Sequence, residues 1–464
     1  MLFNSIEFVW FLPVVVLLYY LLPGRFRWIL LLAASYLFYM FWKVEYAALI
    51  AGSTLIDYFA GLQMARLTQR AQRLPWLILS LFSNFGLLFA FKYANFFSSS
   101  LNQLFHLEIP GLDLLLPVGI SFYTFQTLSY SIDIYKGQQK PETHLGYFAL
   151  YVAFFPQLVA GPIERFSRLG PQLRQHTTFT YDNIAHGLRL ILYGLFVKMV
   201  VADNLMAFVN PVFESPAEQS SLTIAQGMAL YSWQIYCDFY GYSLIAIGSA
   251  RLLGIRLMDN FHTPYLAVSV ADFWQRWHIS LSTWFRDYLY IPLGGNKVGL
   301  GRWSLNILLV FTISGLWHGA NWTFMVWGGI WGMAYLLEKW TGKIIKLPKI
   351  RPYSMLHLLN AVKMFGLATL AWLAFRCSTL EQMKAMLNAL VYNGNMADSL
   401  QLAWPALVFL LLFLISDILL FNQRFDNWIG KRPLALRWSV YALLIFAVIA
   451  FSAVEEFPFI YFQF

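Results

Sequence analysis

Apolar residues along this chain arrive in long, nearly unbroken runs, with no sustained alternation of the kind a half-buried strand requires. A bilayer core takes about 20 apolar residues of helix, with a range of roughly 17–25. Runs that reach or approach that length lie at Phe8–Leu22, Trp28–Trp42, Tyr46–Ala65, Pro75–Phe91, Leu114–Tyr135, Gly187–Val209, Leu222–Ala250, Trp303–His318, Trp322–Glu338, Met355–Arg376, Leu402–Phe421 and Leu436–Val454. The pattern predicts an all-α polytopic membrane protein of eleven or twelve spans, several of them short. Two further stretches are apolar but unsuited to crossing. Tyr147–Gly161 is brief and runs into Ala-Gly-Pro, and Tyr265–Leu293 mixes Trp and Phe with Asp, Arg and His. Both are expected to be re-entrant or interfacial. Irregular backbone at membrane depth persists only where protein or a wet cavity surrounds it, so two such stretches imply a cavity.

Composition agrees. Of 464 residues, 59% are hydrophobic and 12% charged, where soluble domains carry about 25% charged residues. The 18 tryptophans suit two long membrane interfaces. No soluble domain, long linker, low-complexity tract or internal repeat is visible, so residues 1–464 read as a single membrane domain. Met1–Trp10 has no Lys or Arg, which argues against a cleaved signal peptide and for a retained first helix. Cys237 and Cys377 have neither metal-ligand spacing nor a disulfide framework, and no metal site is expected.

Charge sets the orientation. With the N-terminus outside, alternate loops carry Arg25 and Arg27; Arg66, Arg70 and Arg73; Lys136 and Lys140; Arg165, Arg168 and Arg174; Arg251 and Arg256; Lys339–Arg351; and Arg424–Arg437. The opposite loops hold little beyond Lys43, Lys92, Arg376 and Lys384, with Glu214, Glu218, Glu455 and Glu456. Positive residues mark the cytoplasmic side, which places both termini outside the cytoplasm. The net charge of +9 is this bias itself and calls for no nucleic acid.

Ionisable residues inside spans are costly and are functional candidates by default. They fall in three stretches. Trp233–Tyr242 puts Asp238 mid-span among aromatics, with Lys198 as a candidate partner. Phe273–Gly295 interleaves Arg276, His278, Arg286 and Asp287 with large aromatics. Ser314–Phe324 is a tight turn between two apolar helices, with Trp317, His318 and Asn321 at its tip. A neutral imidazole there can take a proton near physiological pH. Each also has a structural reading: a core histidine at 318, an anchoring one at 278, and a helix-tying carboxylate at 238. Cys237 reads as buried filler. The remaining histidines sit at loops and helix ends, and Asp57, Asp133 and Asp203 at span ends or polar faces, where packing explains them.

Longer strings make a family visible: Leu116-Pro-Val-Gly-Ile-Ser-Phe-Tyr123, Ser129-Tyr-Ser-Ile-Asp-Ile-Tyr135, Phe155-Pro-Gln-Leu-Val-Ala-Gly-Pro162, Tyr236-Cys-Asp-Phe-Tyr-Gly-Tyr-Ser243, Trp274–Gly295 and Gly315-Leu-Trp-His-Gly-Ala-Asn321. With these the chain resembles, from Met1 to the terminal Phe459–Phe464, the membrane-bound O-acyltransferase family and its bacterial alginate and polysaccharide O-acetyltransferase branch. Relatives often show Tyr-Phe-Asp-Phe-Ser-Gly where this chain has Cys237-Asp-Phe-Tyr240, a departure that keeps the aspartate. The resemblance implies a helical core with funnels from both membrane faces, and His318 and His278 as catalytic positions. Asn321, Asp238, Trp317, Arg276 and Arg286 are the supporting candidates.

The reaction so implied is acyl transfer from a thioester to a hydroxyl, with His318 as general base and Asn321 as orienter or oxyanion donor. The expected donor is acetyl-CoA, with no bound cofactor. The expected acceptor is an extracytoplasmic polysaccharide such as alginate or cellulose, reached through a periplasmic or membrane-anchored partner at the bacterial inner membrane. Peptidoglycan O-acetylation is the alternative within the class. Outside it stand a polytopic transporter, which calls for inverted repeats, and a haem protein ligated by His278 and His318, which calls for a visible absorption band.

Overall fold

Each of the twelve apolar runs contains helix in the computed structural model, which describes residues 1–159, 161–344, 351–394, 404–452 and 459–460; in the run Leu114–Tyr135 the helix begins only at Ile120. Leu402, Ala403 and the end of the last run lie outside the described residues, as do residues 345–350 of the basic stretch Lys339–Arg351. Some boundaries were set by local chemistry already in the sequence. The Met355–Arg376 helix starts where the Ser354 hydroxyl accepts the N–H of His357 at 3.2 Å, satisfying one of the orphan donors of a helix start. Among the described residues six helices are long and apolar enough to cross a membrane on their own: Tyr46–Arg66, Arg70–Phe105, Tyr181–Glu214, Leu300–His318, Met355–Arg376 and Leu434–Phe451. Ile6–Leu21 and Trp404–Leu419 are apolar but shorter. The Ser221–Leu252 helix is long, but Gln226, Gln234 and Asp238 dilute its hydropathy. Ala94–Phe105 and Leu380–Tyr392 are helices that the hydrophobic pattern did not single out.

Packing groups the described residues into two compact units, Met1–Ile191 with Ser243–Met258, and Leu192–Tyr242 with Asp259–Phe464. In the first, the awkward stretch after Leu145 forms two short helices, Leu145–Ala153 and Phe155–Leu158, with Phe148 and Leu150 to Leu158 buried. Broken backbone thus lies inside protein, as expected. Asp57 ties three helices of this unit together. Its carboxylate accepts from Ser80 at 2.5 Å and from Asn84 at 2.9 and 3.0 Å, while Thr127 donates to the Asn84 oxygen at 3.0 Å. Interhelical polar pairs of this kind hold membrane helices together where burial supplies no driving force.

In the second unit, Tyr265–Leu293 is also broken. A short turn at Pro264–Leu266 leads to the helices Val270–Arg276 and Ile279–Phe285 and a wide π turn at Arg286–Tyr290. The Leu300–His318 and Trp322–Ile344 helices form a close hairpin. A Cβ on Gly315 would lie 2.1 Å from the Phe324 carbonyl oxygen, and one on Gly328 would lie 2.3 Å from that of Phe311. Glycine at both positions lets the two backbones touch.

Candidate active site

His318 is the last residue of its helix, and Gly319 follows in extended conformation. Asn321 closes the turn. Its side-chain oxygen accepts the N–H of Thr323 at 3.1 Å, and its amide nitrogen donates to the Ser378 carbonyl at 2.5 Å. Both ends of Asn321 therefore serve to shape the turn and fix it to the segment after Met355–Arg376.

His278 approaches from the broken stretch. It stands between two short helices with φ at +42°, a left-handed conformation that non-glycine residues adopt uncommonly. Asn260 holds this corner: its backbone carbonyl accepts the N–H of Ile279 at 3.0 Å and its side chain accepts the Ser280 hydroxyl at 2.6 Å. The two histidines meet, with ring centroids 6.3 Å apart and each at most 3% exposed. Aromatic rings enclose the pair. Trp317, Trp327 and Phe375 lie 5.0, 5.0 and 5.3 Å from the His318 ring, and Phe239 lies 4.6 Å from that of His278.

The other candidates lie elsewhere in the unit. Asp238 pairs with Lys198 at 2.6 Å, and Lys198 also meets Asp203 at 2.5 Å, all three buried. Lys198 sits on the π turn Phe196–Ala202, and the second oxygen of Asp238 accepts the N–H of Ile460 at 2.8 Å. Breaking such a cluster leaves uncompensated buried charge, typically a loss of about 3–5 kcal/mol. Lys198→Met should therefore lower the thermal stability of the detergent-solubilised protein by that order. Adding Asp203→Asn and Asp238→Asn should recover most of it. Wild-type stability in the single variant would show the triad to be dispensable.

Arg276 is also engaged: it binds Asp272 at 2.7 Å and Asn422 at 2.8 Å and lies over Phe421. Arg286 is different. It is 59% exposed, paired only laterally with Asp287 at 2.8 Å, and opens into a cavity of ≈ 1450 Å³ that also meets Lys339 and Lys363. A second cavity of ≈ 370 Å³ shares Arg286, Tyr290 and Tyr335 with the first. It follows the Leu300–His318 helix past Ile307 and Phe311 to Ser314, one turn short of His318. Among the described residues no cluster of metal-ligating side chains occurs. Cys237 and Cys377 are buried free thiols.

Three parts of this site were not singled out from sequence: Asn260, Trp327 and Glu338. Glu338 accepts the N–H groups of Val270 and Ala271 at 2.6 and 3.4 Å and so caps the helix leading to His278. A visible signal existed for Trp327, since Phe324, Trp327 and Trp331 recur at helical spacing after the turn.

Known proteins are similar to this chain in sequence. The profile of the MBOAT, membrane-bound O-acyltransferase family, matches residues 141–380, which hold both histidines. The chain is 37% identical over 510 residues to the probable alginate O-acetylase AlgI of Azotobacter vinelandii, covering 100% of both. It is 41% identical to the probable alginate O-acetylase AlgI of Pseudomonas aeruginosa, over 85% of this chain and 76% of that one. It is 38% identical to the peptidoglycan O-acetyltransferase of Helicobacter pylori, over 85% of this chain and 80% of that one. This match sets aside the transporter and haem alternatives. A helical membrane protein with two buried histidines in contact, matched this way along its whole length, belongs to the membrane-bound O-acyltransferase family.

Proposed function

We propose that this O-acyltransferase moves acetyl from cytoplasmic acetyl-CoA to hydroxyls of an extracytoplasmic polysaccharide, with His318 as general base and His278 beside it at the reacting end. The observation that carries this is the corridor. It holds Arg286, Lys339 and Lys363, cations suited to phosphates, beside Glu338, and continues in the smaller cavity past Trp274, Ile307 and Phe311, with Gln275, Ser282 and Thr283 among its walls, toward Ser314. A polyanionic nucleotide stays at such a mouth, while a thin pantetheine arm can enter.

The positive-inside pattern assigns the Leu300 end of the helix to the cytoplasm. Nineteen residues rising at about 1.5 Å each carry the chain roughly 27 Å, so His318 lies toward the far side of the membrane. The acceptor then approaches from outside, and transfer itself carries acetyl across. The alginate O-acetylase relatives support a polysaccharide acceptor, and the Helicobacter relative supports peptidoglycan as the second reading. A periplasmic or membrane-anchored partner completes delivery, and both termini face away from the cytoplasm at the inner membrane.

Sealed vesicles of both orientations, given labelled acetyl-CoA on one face only, test this. Label should reach polymer when the donor meets the cytoplasmic face. Equal transfer with the donor confined to the outer face would overturn the route. The polymer that carries the label, exopolysaccharide or peptidoglycan, decides the acceptor.

A further inference from the structure

Acyl transfer needs a hydrogen-bond donor where the carbonyl oxygen becomes an oxyanion. Removing one such donor typically costs about 10²–10³-fold in kcat. Asn321, the expected donor, already directs one of its two amide hydrogens to the Ser378 carbonyl at 2.5 Å. Another group stands against His318. Trp327 is fully buried, its ring meets the imidazole edge to face at 5.0 Å, and its indole N–H has no hydrogen-bond partner among the described residues. A buried donor left unsatisfied costs about 1–3 kcal/mol, so its retention calls for an explanation. Trp274, Trp277 and Trp331 also carry an unmatched N–H. Trp327 joins that to a contact with the His318 ring, at the 5.0 Å that Trp317 also has, and Trp317 is engaged in further interactions.

Its placement is rigid. Gly315 and Gly328 bring the two hairpin backbones together on either side of the contact, because Trp327 immediately precedes Gly328. Trp372 and Phe375 pack on the same indole at 5.8 and 5.4 Å. A donor fixed before the reaction, in a site closed to water, needs no reorganisation as charge develops.

We propose that the indole N–H of Trp327 is the oxyanion donor of this enzyme. The assignment rests on the thioester-to-hydroxyl reading above. The acceptor oxygen attacks the thioester carbonyl carbon while His318 takes the hydroxyl proton. The carbonyl π pair moves onto oxygen, and the Trp327 N–H holds that charge. As the carbonyl re-forms, the carbon–sulfur bond breaks and the thiolate leaves with the proton from His318, giving the ester and free coenzyme A thiol. Trp327 gains and loses nothing covalently.

The test substitutes position 327 with benzothienylalanine, which keeps the bicyclic shape and replaces N–H by sulfur, and separately with phenylalanine. Both are compared with His318→Ala in native membrane vesicles supplied with acetyl-CoA at the cytoplasmic face. Rates are normalised to folded protein measured by size exclusion. The analogue should lower the rate at saturating donor by about 10²–10³-fold, with the KM for acetyl-CoA little changed. Near-normal rate in either folded Trp327 variant, with His318→Ala inactive, overturns the Trp327 assignment alone. Near-normal rate in His318→Ala overturns the underlying reading instead.

Discussion

Replacing His318 with alanine should lower acyl transfer by about 10²–10⁴-fold, the usual cost of losing a general base, while the protein still inserts and folds. The imidazole sits at a helix end, buried among rings that remain in place without it. Alanine is well tolerated at a helix terminus, and the closing contacts of the turn belong to Asn321 and the two glycines. The loss should thus appear in turnover rather than in yield. Labelled acetyl transfer in membrane vesicles, normalised to the amount of inserted protein, measures it. Transfer near the wild-type rate would remove His318 from the catalytic role.

Gly315→Ala and Gly328→Ala should each impair both stability and activity. In each case the new methyl would meet a carbonyl oxygen of the facing helix at 2.1 or 2.3 Å, and backbone cannot step aside as a flexible side chain can. Overpacking of this kind costs about 1–3 kcal/mol, and the hairpin would have to open to relieve it. Opening shifts Trp327 relative to His318, so activity should fall further than stability alone explains. Gly329→Ala, on the next residue, is the control: nothing lies within 4 Å of its Cβ, and stability should hold or rise. Thermal unfolding in detergent, together with the transfer assay, separates the two effects. A hairpin that accepted alanine at 315 and 328 as readily as at 329 would show that the close approach is not required.

Much of this architecture was legible because a bilayer imposes a coarse rule. Runs of about 20 apolar residues become helices, and all twelve hold one here, though the one in Leu114–Tyr135 starts late, at Ile120. The broken stretches were legible by the same rule in reverse, since polar and aromatic residues mixed over Tyr265–Leu293 cannot form one regular span. His318 and His278 stand out as ionisable residues in apolar surroundings, and Lys198 is a candidate partner for Asp238 because both lie mid-span, while the pairing itself is a finding of the structure. What spacing cannot carry is distance between elements. Sequence placed His278 and His318 forty residues apart and offered no measure of the 6.3 Å between their rings. Arg276 and Arg286 looked alike on one stretch. Folding gave the first three polar partners, Asp272, Asn422 and the His262 carbonyl, and an aromatic face, and opened the second onto a cavity. Asn321 has the chemistry of an oxyanion donor, and the carbonyl that takes one of its amide hydrogens comes from Ser378, fifty-seven residues on. Helices of modest hydropathy, such as Ala94–Phe105, escaped notice because they do not have to bury all their faces.

The enclosure of the two histidines by Trp317, Trp327, Phe375 and Phe239 bears on the fate of the activated acetyl group. A general base that activates a sugar hydroxyl would activate a water molecule just as well, and bulk water far outnumbers any acceptor. A ring of apolar faces around the imidazole admits solvent poorly, which suppresses wasteful hydrolysis of reactive intermediates. In the proposed reaction the loaded donor would then wait for its acceptor, keeping the thioester spent per ester formed close to one. Efficiency of this kind rests on the shape of four side chains, Trp327 among them in addition to its proposed hydrogen bond.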